Sequence, residues 1–527
     1  MSEHDSPKQI EASAASADER HLRTDHLMSD LGGRTVRGGA LTIGSQGLRF
    51  LVTTGSTVVL ARLLMPEDYG LVGMVAVVTG FVSMFKDMGL STATIQKAEI
   101  SSEQVSTLFW LNALLGFAAM LLMIGLAPAI AWFYKEPRLS SITIAFSVNF
   151  IFGGLMAQHQ ALLRRQMRFG ALALAEMVSL FASIAVAIAL AWRGAGYWAL
   201  VFSNLALGFS YAVVVWGVSG WLPGLPQRSS GVRSMLIFGR NLTGFQIVNY
   251  LSRNLDNMLI GRFWGSAQLG LYARAYQLLL LPIEQINTPI AAVAVPALSR
   301  LADEPERYRQ AYLRILEKIA IVTMPGMAFM IATSDWLVLL LLGPRWMGVS
   351  QIFALLGIVG LVQPIANTVG WLFITQGRTA HMFQWGMIGS TIMIAGIVAG
   401  LPWGAIGVAA AYSAVFLLII VPLLFWFVGR EGPVRAADFY RTIAPTACAS
   451  LSVLGALLLF RRFVQVAQPL FGIALSFVIM IVITLLLMLL LPGGRRALHD
   501  LKQSLTLLME RKREREPMQA VSTPVKG

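Results

Sequence analysis

Charge is scarce in this chain. Asp, Glu, Lys and Arg make up 13% of its 527 residues, about half the share of a soluble globular protein. Cysteine is absent apart from Cys448, so no internal disulfide can form, and its place in an apolar run gives no sign of thiol chemistry. There is no His-Glu metal motif and no Gly-Lys phosphate loop, which leaves metal-dependent and ATP-driven chemistry without support and implies no cofactor. Long polar loops are missing on one side of the predicted topology. That removes the place where a glycan polymerase or ligase would build its catalytic residues. Residues 1–34 carry no apolar core of the kind a signal peptide needs and read as a disordered cytoplasmic tail.

What the chain has instead is apolar length. Hydrophobic residues make up 56% of it, arranged in continuous runs of roughly 20 residues, each enough to cross a bilayer core. The runs do not alternate, which excludes a β-barrel. The expected fold is an all-α polytopic membrane protein of about 14 spans. The excess of basic residues, a formal net charge of +14, divides roughly 27 to 8 between the two sides once the tails are counted. This is a positive-inside pattern that places both termini in the cytoplasm and argues against nucleic acid as the partner. A basic tail at 493–527 carries Leu498, Leu501, Leu505 and Leu508 on one helical face. It reads either as an amphipathic helix on the anionic leaflet or as a solvated tail.

The chain also repeats itself. At an offset of 200 residues, Gly39, Gly44, Gln46, Arg62, Gly70 and Leu71 meet Gly239, Gly244, Gln246, Arg262, Gly270 and Leu271 without a gap. Six predicted spans separate the copies, so they point the same way across the membrane and form parallel repeats. The expected organisation is an N-lobe at 35–219, a C-lobe at 235–429, and two appended helices at 440–492.

Within the seventh span Gln246, Asn249, Arg253, Asp256 and Asn257 are spaced by 3, 4, 3 and 1, which puts them on one helical face. The equivalent positions of the first span hold Gln46, Arg49, Thr53, Ser56 and Thr57. An arginine at mid-bilayer costs about 2.5–3.5 kcal/mol on insertion scales, so Arg49 and Arg253 should face protein or a water-filled cavity. Two readings of Arg253 and Asp256 stand at this point: mutual neutralisation between packed helices, or a shared functional face. Arg49 has no acidic residue in its own span. The eighth span adds Arg274, Gln277, Glu284, Gln285 and Thr288 on one face, with Pro282 and Pro289 interrupting the helix. Glu176, two turns from its helix start, reads as interfacial, and His159 as a loop-side residue beside Arg164 and Arg168. Trp371 and Trp385 are candidates for stacking on sugars or for the interfacial belt.

The segment LARLLMPEDYGLVGMVAVVTGF at 60–81, FKDMGLSTATIQ at 85–96, PALSRL at 296–301, LLGPRWMGVSQIFALLGI at 341–358 and ITQGRTA at 374–380 occur in order. As an ordered set they resemble the Wzx-type polysaccharide flippases, in particular their WzxC-like branch, within the multidrug/oligosaccharidyl-lipid/polysaccharide exporter superfamily. The resemblance implies two six-helix bundles around a V-shaped cavity. It also implies alternating access and a cargo of undecaprenyl-diphosphate-linked oligosaccharide repeat units, flipped across a bacterial inner membrane for exopolysaccharide or lipopolysaccharide synthesis. Membrane lipids, a polysaccharide polymerase and export machinery are the partners it implies. Related lipid II flippases use cavity arginines in the first and eighth helices, a part that Arg49 and Arg274 match by helix.

The expected substrate-binding residues are therefore Gln46, Arg49, Thr53, Gln246, Asn249, Arg253, Arg274 and Gln277, with Asp256 and Glu284 as possible ion-coupling groups and no catalytic or metal-binding residue. Arginine suits a diphosphate because its guanidinium is planar and always charged. The rival reading is a cation-coupled multidrug exporter of the same superfamily. It would want acidic residues where the first span offers Arg49.

Overall fold

The computed structural model describes residues 31–87, 90–97, 100–227, 233–464, 466, 468–491 and 494–495. The N-terminal tail and the Leu498–Leu508 face lie outside these residues. The regular elements of the described residues are all helical: α1 Leu31–Leu63, α2 Pro66–Asp87, α3 Leu90–Gln96, α4 Ser102–Tyr134, α5 Arg138–Arg165, α6 Phe169–Trp192, α7 Tyr197–Ser219, α8 Arg233–Ser299, α9 Pro305–Ala332, α10 Ser334–Leu341, α11 Gly348–Thr375, α12 Thr379–Gly400, α13 Gly404–Val415, α14 Val421–Gly429, α15 Ala436–Phe463 and α16 Pro469–Leu490. Eleven stretches are long and apolar enough to cross a membrane. Two of them hold more than one helix. Arg253–Ser299 breaks at Gly265, and Thr379–Gly429 breaks at the short turn Leu401–Trp403, beyond which α13 and α14 run on from one another. With each break counted and α1 added, the described helices are roughly consistent with the expected count of about fourteen spans. Gly265 has φ 80° and ψ −178°, a backbone state that only glycine enters at little cost, so the corner between the seventh and eighth spans is written into one residue.

The chain divides into two compact units, Met1–Ala273 and Arg274–Gly527. In the first, α1 packs on α6 and α7 through Leu60, Leu64, Ala187, Ala191, Ala199 and Leu200. The PED motif that opens α2 is structural, as its residue types suggest. Pro66 occupies the first turn, and the Asp68 carboxylate accepts the Met65 backbone N–H at 2.8 Å. Arg138 bridges Glu67 at 2.6 Å and Glu136 at 2.8 Å, and its hydrogen bonds hold the Glu136 carboxyl below the usual carboxylate range. Beyond α7 the chain is tied back onto α4. Trp221 is buried against Phe109, and the Gly224 and Gln227 backbones bond Ser106 and Thr107.

The first unit also contains the seventh span, so the packing boundary differs from the repeat boundary. The Tyr250 hydroxyl donates to the Val77 carbonyl at 2.9 Å, and Gly261 lies against Tyr134 and Met74. The closest approach is reciprocal and follows the repeat. A Cβ on Gly70 would stand 1.7 Å from the Ser266 carbonyl oxygen, and a Cβ on Gly270 would stand 1.8 Å from the Pro66 carbonyl oxygen. Positions 66 and 70 thus meet positions 266 and 270, at the same 200-residue offset as the sequence match.

The second unit is built on α9, α11, α14 and α15, with Tyr308, Tyr312, Leu372, Phe373, Phe425 and Phe439 at its centre. The first appended helix, α15, is held at both ends. Arg309 donates to both Asp438 oxygens, at 3.0 and 2.7 Å, and the Asp438 side chain is only 6% exposed. At the opposite end Arg461 pairs with Asp335 and lies 4.1 Å from the Trp336 ring centroid. Removing one partner of a pair that is buried on one side strands a charge, whereas an exposed pair contributes little. Arg309→Ala should therefore lower the melting temperature in detergent by about 5 °C. Arg307→Ala, which breaks an exposed pair with Glu304 at 2.7 Å, should change it by no more than about 1 °C. Equal shifts for the two variants would show that the Asp438 clamp is not what holds α15.

Candidate functional site

The polar face of α1 is partly consumed by its own helix. The hydroxyls of Ser56 and Thr57 donate to the Thr53 carbonyl at 2.8 and 2.9 Å, so neither is directed outward to a ligand. Gln46 and Arg49 are exposed, and Thr53 is half-buried. Arg49 does have an acidic neighbour, supplied by another helix. Its Nη1 lies 3.8 Å from Glu176 Oε2 of α6, with the two side chains 61% and 41% exposed. At 1.5 Å per residue, Arg49 lies about 21 Å from the Leu63 end of α1 and Glu176 about 24 Å from the Trp192 end of α6. The two groups sit at matching depth. Glu176 therefore faces an arginine inside the unit and is more than an interfacial residue.

A polar line continues from this pair on neighbouring helices. Glu176 and Arg164 both lie close enough to Tyr211 to act on it electrostatically, and the Gln160 amide donates to the Tyr211 hydroxyl at 2.9 Å. Arg164 is exposed at the end of α5.

On α8, Gln246 and Asn249 belong to the helix, but their side chains lie outside those described. Arg253 is exposed. Asp256, only 5% exposed, accepts the Tyr272 hydroxyl at 2.8 Å and the Asn257 backbone N–H at 2.7 Å. Among the described residues no ion pair joins Arg253 to Asp256, so mutual neutralisation does not explain them. The face expected from periodicity is split. Arg253 is open, whereas Asp256 is turned into the packing between the two limbs of α8.

In the second unit, Arg274 is half-buried and its guanidinium donates to the Gln277 side chain. Gln277, Glu284, Gln285 and Thr288 are all exposed, as one polar stripe requires. Asn287 is buried and donates to the Pro364 carbonyl at 3.0 Å, a helix-to-helix bond that periodicity did not single out. Trp371 is 8% exposed and packs with Ala294 and Ile319, and Trp385 packs beside Phe427. Trp371 is buried in the unit, and Trp385 is half-buried against it. His159 is likewise no loop residue. It is fully buried, its Nδ1 lies 2.8 Å from Ser219 Oγ, and the Trp216 ring stands 4.3 Å away.

Glu176 is what sequence reasoning passed over. One signal was available: it is the lone acidic residue between Arg138 and Trp192, and it falls within a predicted span.

The family described as polysaccharide biosynthesis protein matches residues 59–351. The teichuronic acid biosynthesis protein TuaB of Bacillus subtilis is 29% identical over 58% of this chain and 64% of its own length, so the chain spans somewhat less than two thirds of that relative. The lipopolysaccharide biosynthesis protein WzxC of Escherichia coli is 27% identical over 70% of this chain and 75% of its own length. Among solved structures, an inward closed conformation of the lipid II flippase MurJ covers 86% of this chain and 98% of its own, with TM-score 0.68 at 15% identity, which establishes the likeness of fold. The described helices, their order and the match over more than half of the chain lead to one assignment: this chain belongs to the polysaccharide biosynthesis protein family.

Proposed function

We propose that this multi-pass membrane protein is a flippase. It moves undecaprenyl-diphosphate-linked oligosaccharide repeat units from the inner to the outer leaflet of the bacterial inner membrane, with both termini cytoplasmic, for exopolysaccharide or lipopolysaccharide synthesis. It works as a transporter, by alternating access, and not as an enzyme. The observation that carries this reading is that Arg49 and Arg253, on two long helices of one unit, keep exposed side chains, Arg49 with only a loose 3.8 Å pair to Glu176, at positions well inside their helices, where a charge is costly in a membrane. A diphosphate head group supplies the compensating charge, and guanidinium groups bind its oxygens in bidentate fashion. Gln46, Thr53, Gln246 and Asn249 complete the proposed binding residues of this unit, their amides and hydroxyl suited to sugar hydroxyls, and Arg274 and Gln277 are the residues proposed to bind in the second unit. A polysaccharide polymerase and export machinery are the proposed partners downstream.

The test is reconstitution. In vesicles carrying the lipid-linked oligosaccharide in both leaflets, an external glycan-cleaving enzyme should reach about half of the glycan without the protein and nearly all of it with the protein. Equal cleavage in both preparations would overturn the reading. The same vesicles address coupling. If Asp256 or Glu284 carries the coupling proton, Asp256→Asn or Glu284→Gln removes the dependence on a pH gradient, and an unchanged dependence excludes the residue tested.

A further inference from the structure

Glu176 has no assigned task, although it is the carboxylate nearest to the arginine on which the proposed function leans. We infer that Glu176 is a built-in competitor for Arg49 that sets the threshold of anionic charge a head group must carry to be bound. The inference rests on the reading of Arg49 as a diphosphate ligand.

The geometry fits such a role. At 3.8 Å, with both side chains substantially exposed, the pair is loose. It is neither locked nor sealed like the Arg309–Asp438 clamp, whose two contacts are 3.0 and 2.7 Å. A loose pair can be opened by an incoming anion at modest cost. The opposing helix faces supply what Glu176 needs when Arg49 is taken. Tyr211 lies within electrostatic reach of Glu176, and Arg164 acts on the same tyrosine, so a carboxylate released from Arg49 keeps polar groups nearby.

The chemical need follows from where the arginine sits. A cation exposed on a membrane protein can also attract the head groups of anionic lipids such as phosphatidylglycerol, whose phosphodiester carries one uncompensated negative charge. An unguarded guanidinium would be occupied by them. A carboxylate held alongside, at an effective concentration set by the fold, matches a single charge and displaces it. A diphosphate carries more charge and two sets of oxygens, and it outcompetes the carboxylate by engaging the planar guanidinium at both edges. Discrimination then comes from a repulsive element as well as an attractive one. Tyr211, with Gln160 hydrogen-bonded to it, is part of the polar surroundings of Glu176 and not itself a ligand in this scheme.

The experiment measures binding of undecaprenyl diphosphate to the purified protein in nanodiscs of phosphatidylcholine alone and of phosphatidylcholine with one quarter phosphatidylglycerol. Wild type should show nearly the same affinity in both. Glu176→Gln should bind about fivefold more tightly in phosphatidylcholine and lose that gain when phosphatidylglycerol is added. In an Arg49→Ala background Glu176→Gln should have no effect, because the two residues act through one contact. Should Glu176→Gln fail to accumulate, Glu176→Asp keeps the charge but shortens its reach and should give the same pattern at reduced size. An unchanged or weaker affinity in Glu176→Gln, or an effect that persists in full without Arg49, overturns the inference alone. Undiminished diphosphate binding in Arg49→Ala overturns the reading on which it rests.

Discussion

Gly70→Ala and Gly270→Ala are each expected to destabilise the protein severely and to cut polymer export at least about tenfold, although each adds a single methyl group. The cause is the crossing of α2 with the second limb of α8. There a Cβ would fall 1.7 or 1.8 Å from a backbone carbonyl oxygen, about half of a normal contact distance. A flexible side chain could rotate away; the Ser266 and Pro66 carbonyls cannot, because each belongs to the start of a helix. The helices must separate, and the contacts around the crossing go with them, including Gly73 against Leu269 and Gly261 against Tyr134. Overpacking typically costs about 1–3 kcal/mol, and a backbone obstacle puts these sites at the upper end. Gly47 and Gly55 on α1 provide the control. Nothing lies within 4 Å of a Cβ at either position, so Gly47→Ala and Gly55→Ala should be neutral or gain up to about 1 kcal/mol from helix propensity. Melting temperature in detergent and membrane accumulation read both sets. Wild-type stability in Gly70→Ala would mean the helices do not cross at these residues.

The second large effect is functional and not structural. Arg49→Ala should reduce export by about tenfold to hundredfold, which is the range for losing a charge-assisted hydrogen bond, while the protein accumulates normally in the membrane. Normal accumulation is expected because the Arg49 side chain is 61% exposed and its ion pair with Glu176 is loose, so little packing depends on it. Arg49→Lys should retain partial export, since an ammonium keeps the charge but loses the planar bidentate fork. Retained export in Arg49→Ala, at wild-type membrane levels, would remove Arg49 from the binding set.

Much of the architecture is a local property of the chain. A helix in hydrocarbon satisfies its own backbone hydrogen bonds and has to be about 20 residues long. Each span is therefore legible from its own residues, and the helices fall where the apolar runs do. The internal repeat is legible for the same reason: it is a linear match, and Gly70 and Gly270 stand out in it. Loop charge points to an orientation because it acts span by span.

What the sequence could not determine is which residues meet. Periodicity shows that Arg253 and Asp256 share a helical face. Only packing decides that Arg253 stays open while Asp256 turns to Tyr272, 16 residues ahead. The lone acid of α6 and an arginine from the middle of α1 became a pair because α1 lies on α6. His159 and Trp371 carry polar or aromatic groups that any reader of a sequence would consider for function, and the structure buries both in packing. The repeat marked Gly70 and Gly270 as equivalent, and the fold made each the contact of the other's helix start. Composition and run length decide how many helices cross a bilayer, since that depends on each helix and its solvent. The partners of their polar groups depend on distances between helices far apart in sequence, and tertiary packing alone supplies those distances.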